Sequence, residues 1–351
     1  MSQLAKPRPG LSEEEPYTSR QVDVPVRLNT NESPVPLPDR FFAMLAAVAR
    51  DIPLHRYPDS EMPRLREKLA AHVDRPAEMI WAANGSNEIL EELFLAYGGP
   101  MRTVAIFEPT YVVHGRIAWL THTAVADFTM NPPYLLGPKD VAAAAAAKAD
   151  MVLVCSPNNP TGNAQGLDVI RRFAEQTEAL VVVDEAYIEF GGETALPLLD
   201  DHPNLVVVRT LSKAFALAGA RLGYCVAAPQ VIDDLRRVRL PYHVSALTQA
   251  AGIAALLHAE EANAAVERIR AERDRLLTGL RAIPGVVAFP SDANFVLFKP
   301  PKPAEIVWKD LLDRGVLVRD MTAVVPGTLR VSAGTPAEVD VFLDSLQEVL
   351  A

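Results

Sequence analysis

Short apolar runs separated by helix-length stretches of mixed polarity dominate the chain as far as about residue 240. Ile80-Trp81-Ala82-Ala83, Val104-Ala105-Ile106-Phe107, Ala124 to Phe128, Met151 to Cys155, Leu180 to Val183 and Leu205 to Val208 are such runs. Their length and β-branched content are those of strands buried on both faces of a parallel sheet. Between them the spacing turns helical. Leu37 to Arg50 aligns Phe41, Leu45 and Val48, and Pro63 opens a helix carrying Leu65, Leu69 and Val73. Ile89, Leu90, Leu93 and Phe94 mark another, followed by Tyr111 to Leu120, the alanine-rich Val141 to Ala149, and Asp168 to Glu178. This alternation predicts an α/β fold with a mostly parallel central sheet.

Past residue 240 the rhythm changes. Ser245 is placed to cap a helix to His258, and a longer helix then aligns Val266, Ile269, Leu276 and Leu280 before Pro284-Gly285. Three strands are expected at Asn294 to Lys299, Val316 to Arg319 and Leu329 to Ser332. Thr335-Pro336-Ala337-Glu338 reads as a capping box with proline at the first helical position, opening a last helix with Val339, Phe342, Leu343, Leu346 and Val349 inward. The Pro- and Glu-rich start lacks periodicity. The expected organisation is an N-terminal arm over 1–30, a large domain over 31–240 and a smaller C-terminal α/β domain over 241–351.

Composition narrows the function classes. The 351 residues suffice for two or more packed units, and 49% apolar with 22% charged residues is ordinary for a globular protein. A formal charge of −10 argues against a nucleic-acid partner. Cys155 and Cys225 give neither a disulfide framework nor metal spacing and are expected as buried free thiols, so no metal is expected. The first residues lack an apolar signal core and no segment approaches membrane-spanning length, which predicts a soluble, cytoplasmic protein without a membrane partner.

The candidate chemistry sits just past the apolar runs, where ligands collect in such sheets. Asp184 follows Leu180 to Val183, with Tyr187 three residues on. Lys213 follows Leu205 to Val208 through Arg209-Thr210-Leu211-Ser212, and Arg221 lies between Gly219 and Gly223. Asn159 falls in the turn Ser156-Pro157-Asn158-Asn159-Pro160-Thr161-Gly162, and Gly85-Ser86-Asn87 precedes a helix whose free N–H groups attract an anion. A lysine that forms a Schiff base, an acid for a protonated pyridine nitrogen, and hydroxyl, amide and guanidinium donors for a phosphate are what pyridoxal phosphate (PLP) chemistry requires. Tyr111, near another strand end, is placed to stack on a ring. Arg319 and Arg330, in the predicted C-terminal strands, are placed to grip an anionic substrate.

Taken together, these motifs resemble the fold-type I PLP-dependent aminotransferases, and within them the branch that acts on histidinol phosphate. The likeness runs from Arg27-Leu28-Asn29-Thr30-Asn31-Glu32 almost to the end. Its most specific stretches are Arg56-Tyr57-Pro58-Asp59, Trp81 to Glu88, Ser156 to Gly162, Val183 to Tyr187, Thr210 to Gly223 and Arg239-Leu240-Pro241-Tyr242-His243. The resemblance implies a homodimer with each site at the subunit interface, Tyr57 reaching the cofactor phosphate of the partner subunit. It implies that Lys213 bonds the cofactor and then shuttles a proton. Asp184, Asn159 and Tyr187 would tune the ring and Tyr111 would stack on it. Ser86, Asn87, Thr210, Ser212 and Arg221 would hold the phosphate. Asn31, Arg319 and Arg330 would bind substrate, histidinol phosphate in one half-reaction and glutamate or 2-oxoglutarate in the other, in histidine biosynthesis.

Two positions depart from the family pattern. Val35 stands where a substrate-binding tyrosine is common, and His114 where an aromatic is common; for His114 a packing or interface role is expected. An aromatic amino-acid aminotransferase, a threonine-phosphate decarboxylase and a catalytically inactive binding protein are the rival readings.

Overall fold

From the N-terminus, the computed structural model, which describes residues 5–11, 15–16 and 21–351, begins with a two-residue strand β1 (Val26–Arg27) and helices α1 (Asp39–Asp51) and α2 (Pro63–Val73). There follow β2 (Ile80–Ala83), α3 (Ser86–Tyr97), β3 (Thr103–Glu108), α4 (Val113–Leu120), β4 (Ala124–Thr129), α5 (Pro138–Ala146), β5 (Met151–Cys155), α6 (Leu167–Gln176), β6 (Leu180–Asp184), β7 (Leu205–Thr210) and β8 (Gly223–Ala227). Seven of these strands form one sheet in the order β2-β8-β7-β6-β5-β3-β4. From β7 to β4 every pairing is parallel. The inner strands β5, β6, β7 and β8 are buried throughout, as continuous apolar runs require, whereas edge strand β4 alternates in exposure.

β8 departs from the expected pattern. It runs antiparallel to both β2 and β7. Its five residues, Gly-Tyr-Cys-Val-Ala, carry no direction signal, because side-chain alternation is the same either way along a strand. The reversal has a local use: Gly223 pairs with both Thr210 and Ala83, so β8 begins at the edge where β7 and β2 end.

The remaining elements are α7 (Pro229–Val238), α8 (Ala246–Leu256), α9 (Ala259–Ala282), β9 (Val287–Ala288), β10 (Phe295–Lys299), α10 (Ala304–Asp313), β11 (Val316–Leu317), β12 (Arg319–Asp320), β13 (Leu329–Ser332) and α11 (Pro336–Leu350). A four-stranded antiparallel sheet is ordered β12-β13-β10-β9. The single strand expected over Val316 to Arg319 is broken at Val318 into β11, which pairs with β1, and β12, which pairs with β13. Thr335 closes its capping box, its hydroxyl accepting from the Glu338 amide while the Glu338 carboxylate accepts from the Thr335 amide. Ser245 caps α8 through the Thr248 amide.

Two connections cross the expected domain limits. The end of the arm joins the C-terminal unit, since β1 pairs with β11 and the Leu28 carbonyl accepts from the Ser332 amide. α8 packs against α1 and α2 of the N-terminal part. Both cysteines are buried free thiols. Among the described residues, no helix is long and apolar enough to cross a membrane.

Candidate active site

The carboxyl ends of β2, β3, β5, β6 and β7 share one edge of the main sheet with the start of β8, and the polar residues of the sequence motifs gather there. Two close approaches shape this edge. Gly85, at φ 86°, turns the chain from β2 into α3, and a Cβ on it would lie 2.4 Å from Nη2 of Arg221. A Cβ on Gly223 would lie 2.3 Å from the Ser86 amide nitrogen. Only glycine lets β8 lie against the first turn of α3. No side chain caps α3, so its leading amides face the cavity with the Ser86 and Asn87 side chains, a concentrated donor set for an anion.

Beside this turn, Thr210 donates its hydroxyl to Ser212 Oγ at 2.9 Å, and Arg221 Nη1 approaches the same oxygen at 3.4 Å. Arg221 adopts a left-handed backbone (φ 55°), and its guanidinium also reaches the Ala218 carbonyl. These groups form one end of a cavity of about 550 Å³ that spans from the main sheet to the C-terminal unit. Ser86, Asn87, Tyr111, Asn159, Asp184, Tyr187, Thr210, Ser212, Lys213, Arg221, Arg319, Arg330 and Asn31 all line it. Tyr57 does not. It is 79% exposed and stacks on Tyr242, with ring centroids 4.4 Å apart.

Lys213 is the titratable group best suited to attack a carbonyl. Its Nζ donates to the Thr30 carbonyl at 3.0 Å and lies 6.0 Å from the Tyr187 ring centre. Burial pushes its ammonium down to about 8, helped by Arg330 and Arg221 and opposed by Glu32. Around it the groups hold one another. Asp184 accepts from the Ala186 amide at 3.1 Å. Tyr187 accepts from Asn31 Nδ2 at 3.0 Å, and burial, the largest influence, pushes its phenol up to about 12. Tyr111 donates to Asn87 Oδ1 at 3.3 Å. Arg330, buried against Phe295, donates to Asn159 Oδ1 at 2.5 Å and to the Asn29 carbonyl at 3.0 Å. Asn31 is locked to the C-terminal sheet, its amide donating to Ser332 Oγ and its carbonyl accepting from Asn294.

The structure adds partners that the sequence reading missed. His114 is fully buried, as a packing role requires, but its Nε2 lies 3.3 Å from Asp184 Oδ2 and its ring meets Tyr111 edge-on. Its place three residues after Tyr111, one helical turn, was the available signal. Asn29, Thr30 and Glu32 join the site through the arm, and Cys155 through the end of β5. Burial, reinforced by Asp184, pushes the Cys155 thiol well up, which makes it an inert wall. Val35 lies outside the cavity, in a separate hollow with Phe215 and His258.

A cavity with an anion cradle at one end, two arginines at the other and a lysine of lowered pKa between them is arranged for group transfer on a small anionic substrate. Residues 24–346 match the family described as aminotransferase class I and II, and the chain belongs to that family. Its α/β architecture is the fold-type I arrangement of PLP-dependent transferases. Within the family the chain is similar to the histidinol-phosphate aminotransferase of Streptomyces avermitilis, 47% identical across 97% of this chain and 96% of the relative. It is also similar to that of Frankia casuarinae, 46% identical across 97% and 88%. The fold matches the crystal structure of histidinol-phosphate aminotransferase from Sinorhizobium meliloti in complex with pyridoxal-5'-phosphate, with a TM-score of 0.83 at 24% identity, covering 93% of this chain and 91% of that one.

Proposed function

We propose that this aminotransferase uses PLP to transfer an amino group reversibly from histidinol phosphate to 2-oxoglutarate, giving imidazole-acetol phosphate and glutamate, and that it works in the reverse direction in histidine biosynthesis as a cytoplasmic homodimer. One observation carries the cofactor: Lys213, with its lowered pKa, opens into the same cavity as Asp184 and the Ser86, Ser212 and Arg221 cradle. The substrate reading is supported by the two relatives, matched over nearly their full length.

The residues fit the group. The α3 amides, Ser86, Asn87, Thr210, Ser212 and Arg221 would hold its phosphate, and Tyr111 would face its ring. Asp184, oriented by His114 and the Ala186 amide, would keep the pyridine nitrogen protonated, while Asn159 and Tyr187 would bond its phenolic oxygen. When bound, PLP supplies the electron sink that stabilises charge at the substrate's Cα. The protein handles the proton. Lys213, neutral in an appreciable fraction near pH 8 and lining the same cavity, would be the base that takes the proton from that carbon and later returns it. Arg319 and Arg330 supply fixed positive charge for a phosphate or a carboxylate, which lets one site take both substrates in turn. Tyr57, exposed on one chain, would serve the site of a second copy.

Two measurements test the reading. The purified protein should show a visible absorbance band that Lys213→Ala abolishes; no such band after added PLP would overturn the cofactor. Single-turnover reactions with histidinol phosphate, phenylalanine and threonine phosphate should rank histidinol phosphate fastest. Faster reaction with phenylalanine would assign the chain to aromatic amino acids, and loss of the carboxyl from threonine phosphate would make it a decarboxylase.

A further inference from the structure

Behind the anion cradle, beside the first turns of α3, three potential ligands meet, and Glu92 and His243 each keep one unpartnered polar atom there. Glu88 and Glu92 are four residues apart and share a helix face. His243 enters from the loop between α7 and α8, its ring stacked on Trp81. One ligand atom from each of the three lies within 4.8 Å of the others. Glu92 is 3% exposed, and its Oε1 has no hydrogen-bond partner; it points to His243 Nε2 at 3.9 Å. Nε2 of the buried His243 ring lies 3.1 Å from the Ala82 carbonyl, to which it can only donate, so the unpartnered Nδ1 is the ring atom left to ligate an ion.

A buried carboxylate oxygen left without a partner is costly, and proteins resolve that cost by protonation, pairing or metal coordination. Direct pairing is poor, since 3.9 Å is too long for a hydrogen bond. The other oxygens, by contrast, are fixed. Trp81 Nε1 donates to Glu92 Oε2 at 2.9 Å, and the Asn84 side chain donates to Glu88 Oε2 at 2.9 Å, as does the Asn84 amide at 2.5 Å. Donors that hold the outer oxygen of each carboxylate and leave one oxygen facing inward are the usual surroundings of a metal ligand.

We propose that Glu88, Glu92 and His243 form a site for one divalent transition-metal cation, with zinc as its representative. Two carboxylates and an imidazole suit zinc, manganese or cobalt better than calcium or magnesium, which take oxygen ligands alone. Tetrahedral ligands at about 2.1 Å from zinc stand roughly 3.4 Å apart, so small side-chain rotations close the present cluster onto the ion. The ion would tie α3 to the α7–α8 loop. That loop carries Tyr242, which stacks on Tyr57, and its His243 carbonyl accepts from Asn84 beside the cradle. The site is a structural clamp outside the cavity and is independent of the amino donor.

Holoenzyme stripped with a chelator and titrated with zinc chloride by calorimetry should bind one ion per chain. Its unfolding midpoint should rise by about 4 °C at a hundredfold excess over Kd. Glu92→Gln and His243→Gln should each abolish that binding and that rise while retaining the visible absorbance of the holoenzyme. X-ray absorption of the zinc-loaded wild type, which needs no variant to fold, should show nitrogen and oxygen neighbours including one imidazole. Absence of saturable binding, binding that survives either substitution in a folded variant, or sulfur around the zinc would overturn the site.

Discussion

Lys213 shows how much of the chemistry is set by surroundings rather than by residue type. A lysine in water holds its proton until well above neutral pH; here burial, with Arg330 and Arg221 nearby, brings it to about 8. The neutral amine is the form that attacks an aldehyde, so it becomes more abundant as pH rises through that value. The second-order rate at which cofactor-free protein recaptures PLP is therefore expected to rise between pH 7 and 9 and level off above. A rate still climbing steeply at pH 10 would contradict the assigned pKa. Arg330 acts by a different route, since its fork is spent partly on Asn159 and the Asn29 carbonyl. Arg330→Gln removes charge-assisted hydrogen bonds worth about 1.5–3 kcal/mol, or roughly 10- to 160-fold in binding. The expected result is a rise of that size in KM for histidinol phosphate; an unchanged KM would remove Arg330 from the substrate site. The sequence exposed both residues because charge beside an apolar run is conspicuous. It marked the position of His114 but not its contact with Asp184, which depends on tertiary packing that brings α4 to the end of β6.

At the scale of elements, legibility followed periodicity. β2 and β5 were readable to the residue limits and α2 to its first residue, because Ile80-Trp81-Ala82-Ala83, Met151 to Cys155 and Pro63 carry clear stop and start signals. α7 and α10 escaped notice although Val231, Ile232 and Leu235 in one, and Val307 and Leu311 in the other, have helical spacing. Both are about ten residues long and begin at or next to a proline, a combination that also suits a turn. β8 was obscured by the glycines on either side of Arg221, of which Gly223 lies against the first turn of α3. Gly223→Ala would drive a Cβ into the Ser86 backbone, which has no flexible side chain to move aside. We expect at least a tenfold loss of PLP affinity, measured by equilibrium titration, with α3 displaced from the cradle. Affinity within twofold of wild type would mean that the close approach of β8 and α3 does not shape the phosphate site. At the other end of the chain, Thr335→Ala removes a capping box and should cost about 1 kcal/mol in denaturant unfolding while leaving PLP binding unchanged.

For the whole molecule, the question is which chain completes which site. Tyr57 sits among the most specific sequence motifs yet lies outside the cavity of its own chain, stacked on Tyr242 and largely open to solvent. Leu54, near it in sequence, and Leu240, two residues before Tyr242, are exposed as well, and exposed apolar side chains of this kind mark interaction surfaces. If Tyr57 serves the neighbouring site of a homodimer, lesions should segregate in mixed dimers. Consider one chain carrying Lys213→Ala and the other carrying Tyr57→Ala. Acting across the interface, Tyr57 from the first chain completes the site that keeps Lys213, and both lesions fall together in the other site. Half of the sites are then wild type, so the heterodimer should turn over at about half the wild-type kcat with wild-type PLP affinity in the working site. Acting within its own chain, the same mixture holds one site without its lysine and one without its tyrosine, and no site has wild-type affinity. Tagged heterodimers purified from a co-expressed mixture distinguish the two outcomes in a single PLP titration.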